Sequence, residues 1–133
     1  MLASIALLMG VCAGPAPAQT PAPPVIVDFI LFFGFDDASL TPTAQTTLDQ
    51  FVGHRQRRSP DGRVLVVAHS DRAGSAAYNL TLSTRRGASI RAYLVAKGVP
   101  AERIEVMSRG DTQPLVPTTQ REPQNRRADV LLQ

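Results

Sequence analysis

The hydrophobic and polar positions of this 133-residue chain follow two periods, which predict four strands and two helices. Strands are predicted where β-branched and aromatic residues cluster or where apolar residues recur at every second position. The predicted strands cover residues 25–33, 63–68, 104–108 and 127–132. Apolar residues spaced three and four apart predict one helix from residue 42 to about 54 and a second from about 82 to 97.

Turn and capping residues set the predicted boundaries of these elements. Thr41 and Pro42 suit an N-cap and a first helical position, and Gly98 suits the end of the second helix. Residues 71–81 are predicted as a loop with one helical turn, and residues 110–124 as a long loop. The order β-α-β-α-β-β predicts an α+β fold, a four-stranded mixed sheet with both helices packed on one face.

The first residues of the chain predict a leader. An apolar stretch too short to cross a bilayer is followed by small residues, which predicts a signal peptide at residues 1–18. A Pro-rich tether at 19–24 and a domain at 25–133 follow. A start further upstream or an uncut membrane anchor are alternatives, because no Lys or Arg precedes the apolar core. Cys12 is the only cysteine, and Val11 before it disfavours lipidation.

Composition narrows the classes of partner. The formal net charge of +3 lies entirely after the leader, and it suits a polyanionic envelope polymer but is too small and dispersed for nucleic acid. Tryptophan is absent, which argues against a stacking platform for bases or sugars. Neither His54 nor His69 has metal-ligand partners at suitable spacing, so we predict no metal and no cofactor.

Two charged residues stand at unusual positions. Asp71 follows the apolar strand at 63–68, and helical spacing puts Arg86 on the same face as Leu82 and Ile90. A buried charge is costly unless it is paired. An acid and a guanidinium so placed predict a site for a ligand that carries both an ammonium and a carboxylate. A structural salt bridge from Arg86 to a local acid, of which Asp71 is one candidate, is the alternative.

Short groups of residues recur along the chain in a characteristic order. They are His69-Ser70-Asp71, Gly74, Tyr78-Asn79, Leu82-Ser83, Arg86, Tyr93-Leu94, Gly98 and Asn125-Arg126-Arg127. With the predicted order of elements, they resemble the OmpA-like peptidoglycan-binding domain family over about residues 25–133.

The resemblance implies non-covalent binding of peptidoglycan, which would anchor the protein or the outer membrane to the cell wall of a Gram-negative periplasm. In that family the residues matching Asp71 and Arg86 clamp the diaminopimelate of the stem peptide. The acid can accept from the ligand ammonium, and the arginine can hold its carboxylate in a two-pronged bond. We therefore expect Asp71→Ala or Arg86→Ala to abolish binding and leave the fold intact. Outer-membrane or other envelope proteins are further candidate partners.

Five further residues are secondary candidates for ligand contact: Asn79, Ser83, Phe35, Asp36 and Arg126. For the first two the alternatives are a loop-closing amide and the N-cap region of the second helix. The resemblance places the next two in a loop that lines the cleft. Arg126 would add positive potential, or the trio 125–127 would brace the loop at 110–124. His69 is predicted to brace the loop that follows its strand.

Two departures from the family pattern concern packing. Ala68 stands where the family has glycine, and Gly87 where it has alanine. Gly87 within a helix is expected to cost about 1 kcal/mol, which predicts a looser pocket.

Other functions compete with binding. A cell-wall hydrolase could use paired carboxylates from Asp36, Asp37 and Asp71, but the sequence shows no nucleophile-base set or metal cluster. A flagellar-stator anchor would require an acidic residue in a membrane helix, and the leader has none. A scaffold with a vestigial cleft is a further alternative. The sequence predicts a binding module with no catalytic residue.

Overall fold

The structure is a computed structural model that describes Gly14 and residues 29–133. Its helices and strands follow the predicted order. They are β1 (Phe29–Phe32), α1 (Pro42–Arg58), β2 (Val64–His69), α2 (Ala76–Ala96), β3 (Ile104–Gly110) and β4 (Arg127–Leu132). Short 3₁₀ turns at Ala101–Arg103 and Pro123–Asn125 precede the last two strands.

The four strands form one mixed sheet in the order β1-β4-β2-β3. Strand β4 runs antiparallel to both of its neighbours, whereas β2 and β3 are parallel. Helix α2 makes the crossover that a parallel pair requires. The predicted α+β class and the mixed sheet are confirmed.

Both helices pack on one face of the sheet, as predicted. Alternate residues of β2, namely Val64, Val66 and Ala68, point into the core that lies between the sheet and the helices. The helices contribute Leu48 and Phe51 from α1 and Ile90 and Leu94 from α2. The residues that alternate with these, such as Leu65 and Val67, lie on the opposite face and are only half-buried.

Helix α2 begins six residues earlier than predicted, at Ala76 rather than residue 82. The side chain of Ser75 accepts from the backbone N–H of Tyr78 at 3.1 Å and caps the helix. No Gly or Pro occurs at residues 75–81, and Ala76 and Ala77 have a high helix propensity. The predicted loop at 71–81 is therefore only half as long. Asn79 and Ser83 both lie inside the helix, so the alternative that Ser83 belongs to the N-cap region is wrong.

The remaining boundaries differ by a few residues. Helix α1 continues to Arg58 because residues 55–58 favour helix although they lack an apolar pattern. The predicted leader, the tether, Cys12 and the first four residues of the predicted first strand lie outside the described residues, apart from Gly14. Within the described part, no helix is long and apolar enough to cross a membrane.

Gly87 allows a close contact between helix and sheet. A Cβ added there would collide with Cγ1 of Val106 and would lie 3.7 Å from Cβ of Ala68. Compared with the family pattern, the small residue has moved from the strand to the facing helix position. The contact is therefore tight, and the predicted loosening is not what the packing shows.

Candidate ligand-binding site

The two principal candidates lie at the same end of the sheet, and both are enclosed by protein. Asp71 lies two residues after the end of β2 and is 4% exposed, while Arg86 lies in the middle of α2 and is 0% exposed. Arg86 is the largest of the fully buried side chains. Its position on the apolar stripe of the helix, which the spacing predicted, explains this burial.

Backbone oxygens surround the guanidinium of Arg86. Its Nε donates to the carbonyl of Asp37 at 2.9 Å, Nη1 to that of His69 at 3.0 Å and Nη2 to that of Gly34 at 3.0 Å. The ring of Phe33 lies 5.1 Å from its Cζ, within the range of a cation–π contact. Arg86 therefore ties the loop after β1 to the end of β2.

The charge of Arg86 depends on its surroundings. The pKa of Arg86 is lowered to about 10, chiefly by burial; the negative charge of Asp71 opposes this shift, and the positive charge of Arg126 contributes to it. The guanidinium stays protonated near neutral pH, because this pKa is still well above 7. Asp71 and Arg86 thus belong to one electrostatic cluster.

The partner of Asp71 is Arg126, not Arg86. Its Oδ2 lies 3.2 Å from Nη1 of Arg126 and accepts from the backbone N–H of Glu122 at 3.2 Å. Its Oδ1 accepts only a long bond, 3.4 Å, from the backbone N–H of Ala73. The alternative of a salt bridge between Asp71 and Arg86 is therefore wrong.

The segment before β4 closes over this cluster. Nε of Arg126 donates to the carbonyl of Phe33 at 3.2 Å. Cζ of Arg121 lies 3.9 Å over the ring of Phe35, which is close for a cation–π contact. Residues 121–126 therefore contact the loop after β1 at both ends. Asp36 lies in that loop, is exposed and has a left-handed φ of 52°.

Asn79 and Ser83 have protein partners that account for their burial. Nδ2 of Asn79 donates to Oδ2 of Asp111 at 3.1 Å. Oγ of Ser83 donates to the carbonyl of Leu80 at 2.8 Å and accepts from the N–H of Gly110 at 3.1 Å. These bonds tie α2 to the end of β3, and they support a structural role for both residues.

The other polar candidates divide between the two faces of the sheet. Both ends of the Asn125 amide bond the backbone of Val116 at 2.8 Å, which braces the loop at 110–124. The ring of His69 does not brace the following loop as predicted. Its Nε2 lies 3.2 Å from Oδ2 of Asp129, on the face that the helices leave open.

Sequence reasoning missed the contributions of backbone groups to this site. The carbonyls of Gly34, Asp37 and His69 and the N–H of Glu122 carry no signal in residue type. Arg121 gave no signal either, because a charged residue in a Pro-rich loop usually faces solvent. The groups that the fold brings together here are the cations Arg86 and Arg126, the buried acid Asp71 and backbone amides. Over Gly14 and residues 29–133, no group of three potential metal ligands occurs.

The sequence profile of the OmpA family matches residues 32–128, so the chain belongs to the OmpA family. It is 43% identical over 115 residues to outer membrane protein A of Yersinia pseudotuberculosis, which covers 80% of this chain and 33% of that protein. The chain thus spans about a third of that relative.

Two solved structures share the fold. The peptidoglycan-associated lipoprotein from Burkholderia pseudomallei matches with a TM-score of 0.72 and 29% identity, over 78% of this chain and 89% of that one. The cell wall anchor of the type VI secretion system from Pseudomonas aeruginosa matches with a TM-score of 0.63 and 26% identity, over 76% of this chain and 73% of that one.

Proposed function

We propose that this OmpA-family domain binds peptidoglycan without covalent chemistry and anchors its protein, or the outer membrane, to the cell wall from the periplasm. The proposed contact is the diaminopimelate of the stem peptide. The observation that carries the proposal is the cluster of Asp71, Arg86 and Arg126, an acid between two cations at one end of the sheet.

Relatives support anchoring over the hydrolase alternative. One similar structure is a peptidoglycan-associated lipoprotein and another is a cell wall anchor. Domains of this family are non-enzymatic structural modules, and the cluster offers cations and amides instead of a nucleophile with its base.

The cluster has the chemistry for a zwitterion. The free end of diaminopimelate carries an ammonium and a carboxylate on one carbon. Asp71 can accept from the ammonium, because Oδ1 holds only the long bond from Ala73. Each terminal nitrogen of Arg86 keeps a second N–H beyond its bond to a carbonyl, which suits a two-pronged bond to the carboxylate.

Ligand contact requires the segment at 121–126 to move. Arg126 occupies Oδ2 of Asp71, and Arg86 is 0% exposed. In this proposal the ligand ammonium displaces Arg126 from Asp71, and the displaced arginine stays near the ligand carboxylate. Phe35 and Asp36 would then line the opened cleft.

Co-sedimentation with purified diaminopimelate-type peptidoglycan tests the proposal. We expect Asp71→Asn to lose retention. Asp129→Asn is the matched control. Asp129, like Asp71, is paired with an arginine, in this case Arg127, but its side chain lies on the other face of the sheet, next to His69. Retention of both variants, or loss of both, would place the binding surface elsewhere. Release of soluble fragments would favour the hydrolase.

Competition by free ligand tests the finer claim. Free meso-diaminopimelate should release the domain from peptidoglycan, and lysine-type peptidoglycan, which lacks the terminal carboxylate, should retain it poorly. Equal binding of both polymers would remove the role given to Arg86.

The proposed processing of the chain needs a separate experiment. Mass spectrometry of the mature N-terminus would distinguish cleavage after residue 18 from an uncut anchor and from lipidation at Cys12. The proposal expects an N-terminus at Gln19 and a free tether at 19–24.

A further inference from the structure

The face of the sheet that the helices leave open carries a pocket of about 350 Å³. We call it the sheet-face pocket. Four apolar side chains from three strands form its floor: Leu65, Val67, Met107 and Leu131. Val67 pairs with Asp129 and Met107 in the sheet, and its neighbours Val66 and Ala68 point into the core on the other side. The sheet therefore separates this pocket from the Asp71–Arg86 site.

The dimensions of the sheet-face pocket suit a small ligand. Its volume lies within the range of about 300–1,000 Å³ that is usual for ligand pockets. From Leu65 to His69 the pocket follows β2 for about 13 Å, at a rise of about 3.3 Å per residue. An extended aliphatic chain of moderate length matches this strip.

Polar groups collect at one end of the floor, and most of them satisfy each other. Both oxygens of Asp129 are occupied, Oδ2 by Nε2 of His69 at 3.2 Å and Oδ1 by Nε of Arg127 at 3.3 Å. The terminal nitrogens of Arg127 donate to the carbonyl of Gln113 at 3.3 and 3.4 Å. Asp129 therefore has no oxygen free for a ligand, whereas Nδ1 of His69 is buried without a hydrogen-bond partner and each terminal nitrogen of Arg127 keeps a second N–H.

Arg109 differs from the trio. It lines the same pocket and is half-buried, and its Nε is enclosed by protein without a hydrogen-bond partner. Among the described residues, no carboxylate lies within ion-pair distance of its guanidinium. Partial burial of a cation is unfavourable unless an anion compensates it. The pocket thus ends in a positive group with unused donors.

We propose that the sheet-face pocket binds an amphiphilic carboxylate, with its head group on Arg109 and its aliphatic chain along the apolar floor. The guanidinium of Arg109 supplies the planar fork that a carboxylate fits. A small inorganic anion would leave the floor uncovered, and a neutral hydrocarbon would leave Arg109 unpaired. The inference does not depend on the peptidoglycan proposal, because none of the groups that form the pocket floor or hold the head group belongs to the Asp71–Arg86 site.

Titration of the isotope-labelled domain with octanoate, followed by NMR, tests this inference. We expect saturable shifts in the methyl groups of Leu65, Val67 and Met107. Octanamide, which keeps the chain and loses the charge, should bind at least about tenfold more weakly, because a charge-assisted hydrogen bond is stronger than a neutral one. Acetate, which keeps only the head, should cause no saturable shift.

Two variants at arginine positions locate the head group. Arg109→Gln should weaken octanoate binding by about tenfold for the same reason, and Arg121→Gln should not change it, because that cation does not line the pocket. Val67→Thr should also weaken octanoate binding, because it places a hydroxyl group in the apolar floor, and it should leave the fold intact.

Three results would overturn the inference: no saturable binding, shifts outside the pocket, or equal affinity in Arg109→Gln. Octanoate binding should also persist in Asp71→Asn. Failure of that variant on peptidoglycan together with normal octanoate binding would separate the two proposals.

Discussion

Two arginines, Arg86 and Arg109, stand on opposite faces of one sheet and have opposite surroundings. Arg86 is fully buried and donates to three backbone carbonyls. Arg109 is half-buried, and its Nε is enclosed with no acceptor. The difference indicates which cation the fold itself requires. Arg86 connects the loop after β1 to the end of β2, whereas the guanidinium of Arg109 has no hydrogen-bond or ion-pair partner among the described residues.

The comparison changes one expectation from the sequence. Loss of Arg86 would leave three carbonyls and a large volume without a partner, so the fold is not expected to stay intact in Arg86→Ala. A binding assay on that variant would therefore confuse unfolding with loss of a ligand contact. Asp71→Asn is the cleaner probe, because an amide keeps the volume and can still accept a hydrogen bond.

The largest expected effect is on stability and separates the two arginines directly. Arg86→Met should lower the free energy of unfolding by about 3–5 kcal/mol, the usual result of removing one partner from a buried polar set. Arg109→Met should change it by less than about 1 kcal/mol, because its guanidinium has no hydrogen-bond or ion-pair partner within residues 29–133. Urea denaturation of both variants measures this. Similar losses in the two would mean that Arg86 is not the structural arginine.

A second prediction concerns how tightly the covered face is packed. Gly87→Ala should destabilise the domain by about 1–3 kcal/mol, as overpacking does, because the new Cβ would meet Cγ1 of Val106. Gly53→Ala in α1 is the matched control, since its Cβ would meet only the flexible end of Arg57, at 3.2 Å. That variant should gain up to about 1 kcal/mol of helix propensity.

The two glycine variants should therefore differ in sign in thermal or urea unfolding. Adding Val106→Ala to Gly87→Ala should recover part of the loss, because it removes the colliding methyl group. A stabilising effect of Gly87→Ala alone would show that the covered face is looser than its contacts indicate.

The sequence predicted the strands, the helical face that carries Arg86 and the position of Asp71 because these follow from periodicity. It did not predict the partners of those charges. Arg86 is held by main-chain oxygens of Gly34, Asp37 and His69, and main-chain groups are the same in every residue type. Asp71 pairs with Arg126, more than 50 residues away in the chain, and only the closure of the loop before β4 brings them together.

Helix α2 begins before its apolar period for a local reason. The apolar period begins at Leu82, but the helix begins where Ser75 provides a cap, and residues 76–81 carry no buried stripe except Asn79. Periodicity detects the buried face of a helix, not its exposed first turns. Capping chemistry was the signal that could have found the true start.

A third prediction concerns the cap that Ser75 provides for α2. Ser75→Ala should lower the free energy of unfolding by about 1 kcal/mol, since the N–H of Tyr78 loses its acceptor. Ser75→Asp should restore it, because aspartate also caps helices. Hydrogen exchange at residues 76–79 should rise in the alanine variant and leave β4 unchanged. Equal exchange in both proteins would mean that packing, not the cap, fixes the first turn.

A third arginine gives the smallest expected effect and completes the comparison. Arg121 is exposed and lies over Phe35, so Arg121→Gln should cost about 0.5–1 kcal/mol or less in stability. The substitution should affect peptidoglycan binding more than folding, because the contact between Arg121 and Phe35 helps to keep residues 121–126 in place over Asp71. The variant should associate with and dissociate from peptidoglycan faster, as measured on an immobilised polymer. Arg85→Gln, an exposed cation on α2, is the control and should match the wild type. Unchanged rates in Arg121→Gln would mean that the salt bridge between Arg126 and Asp71 closes the site without help from the stacked pair.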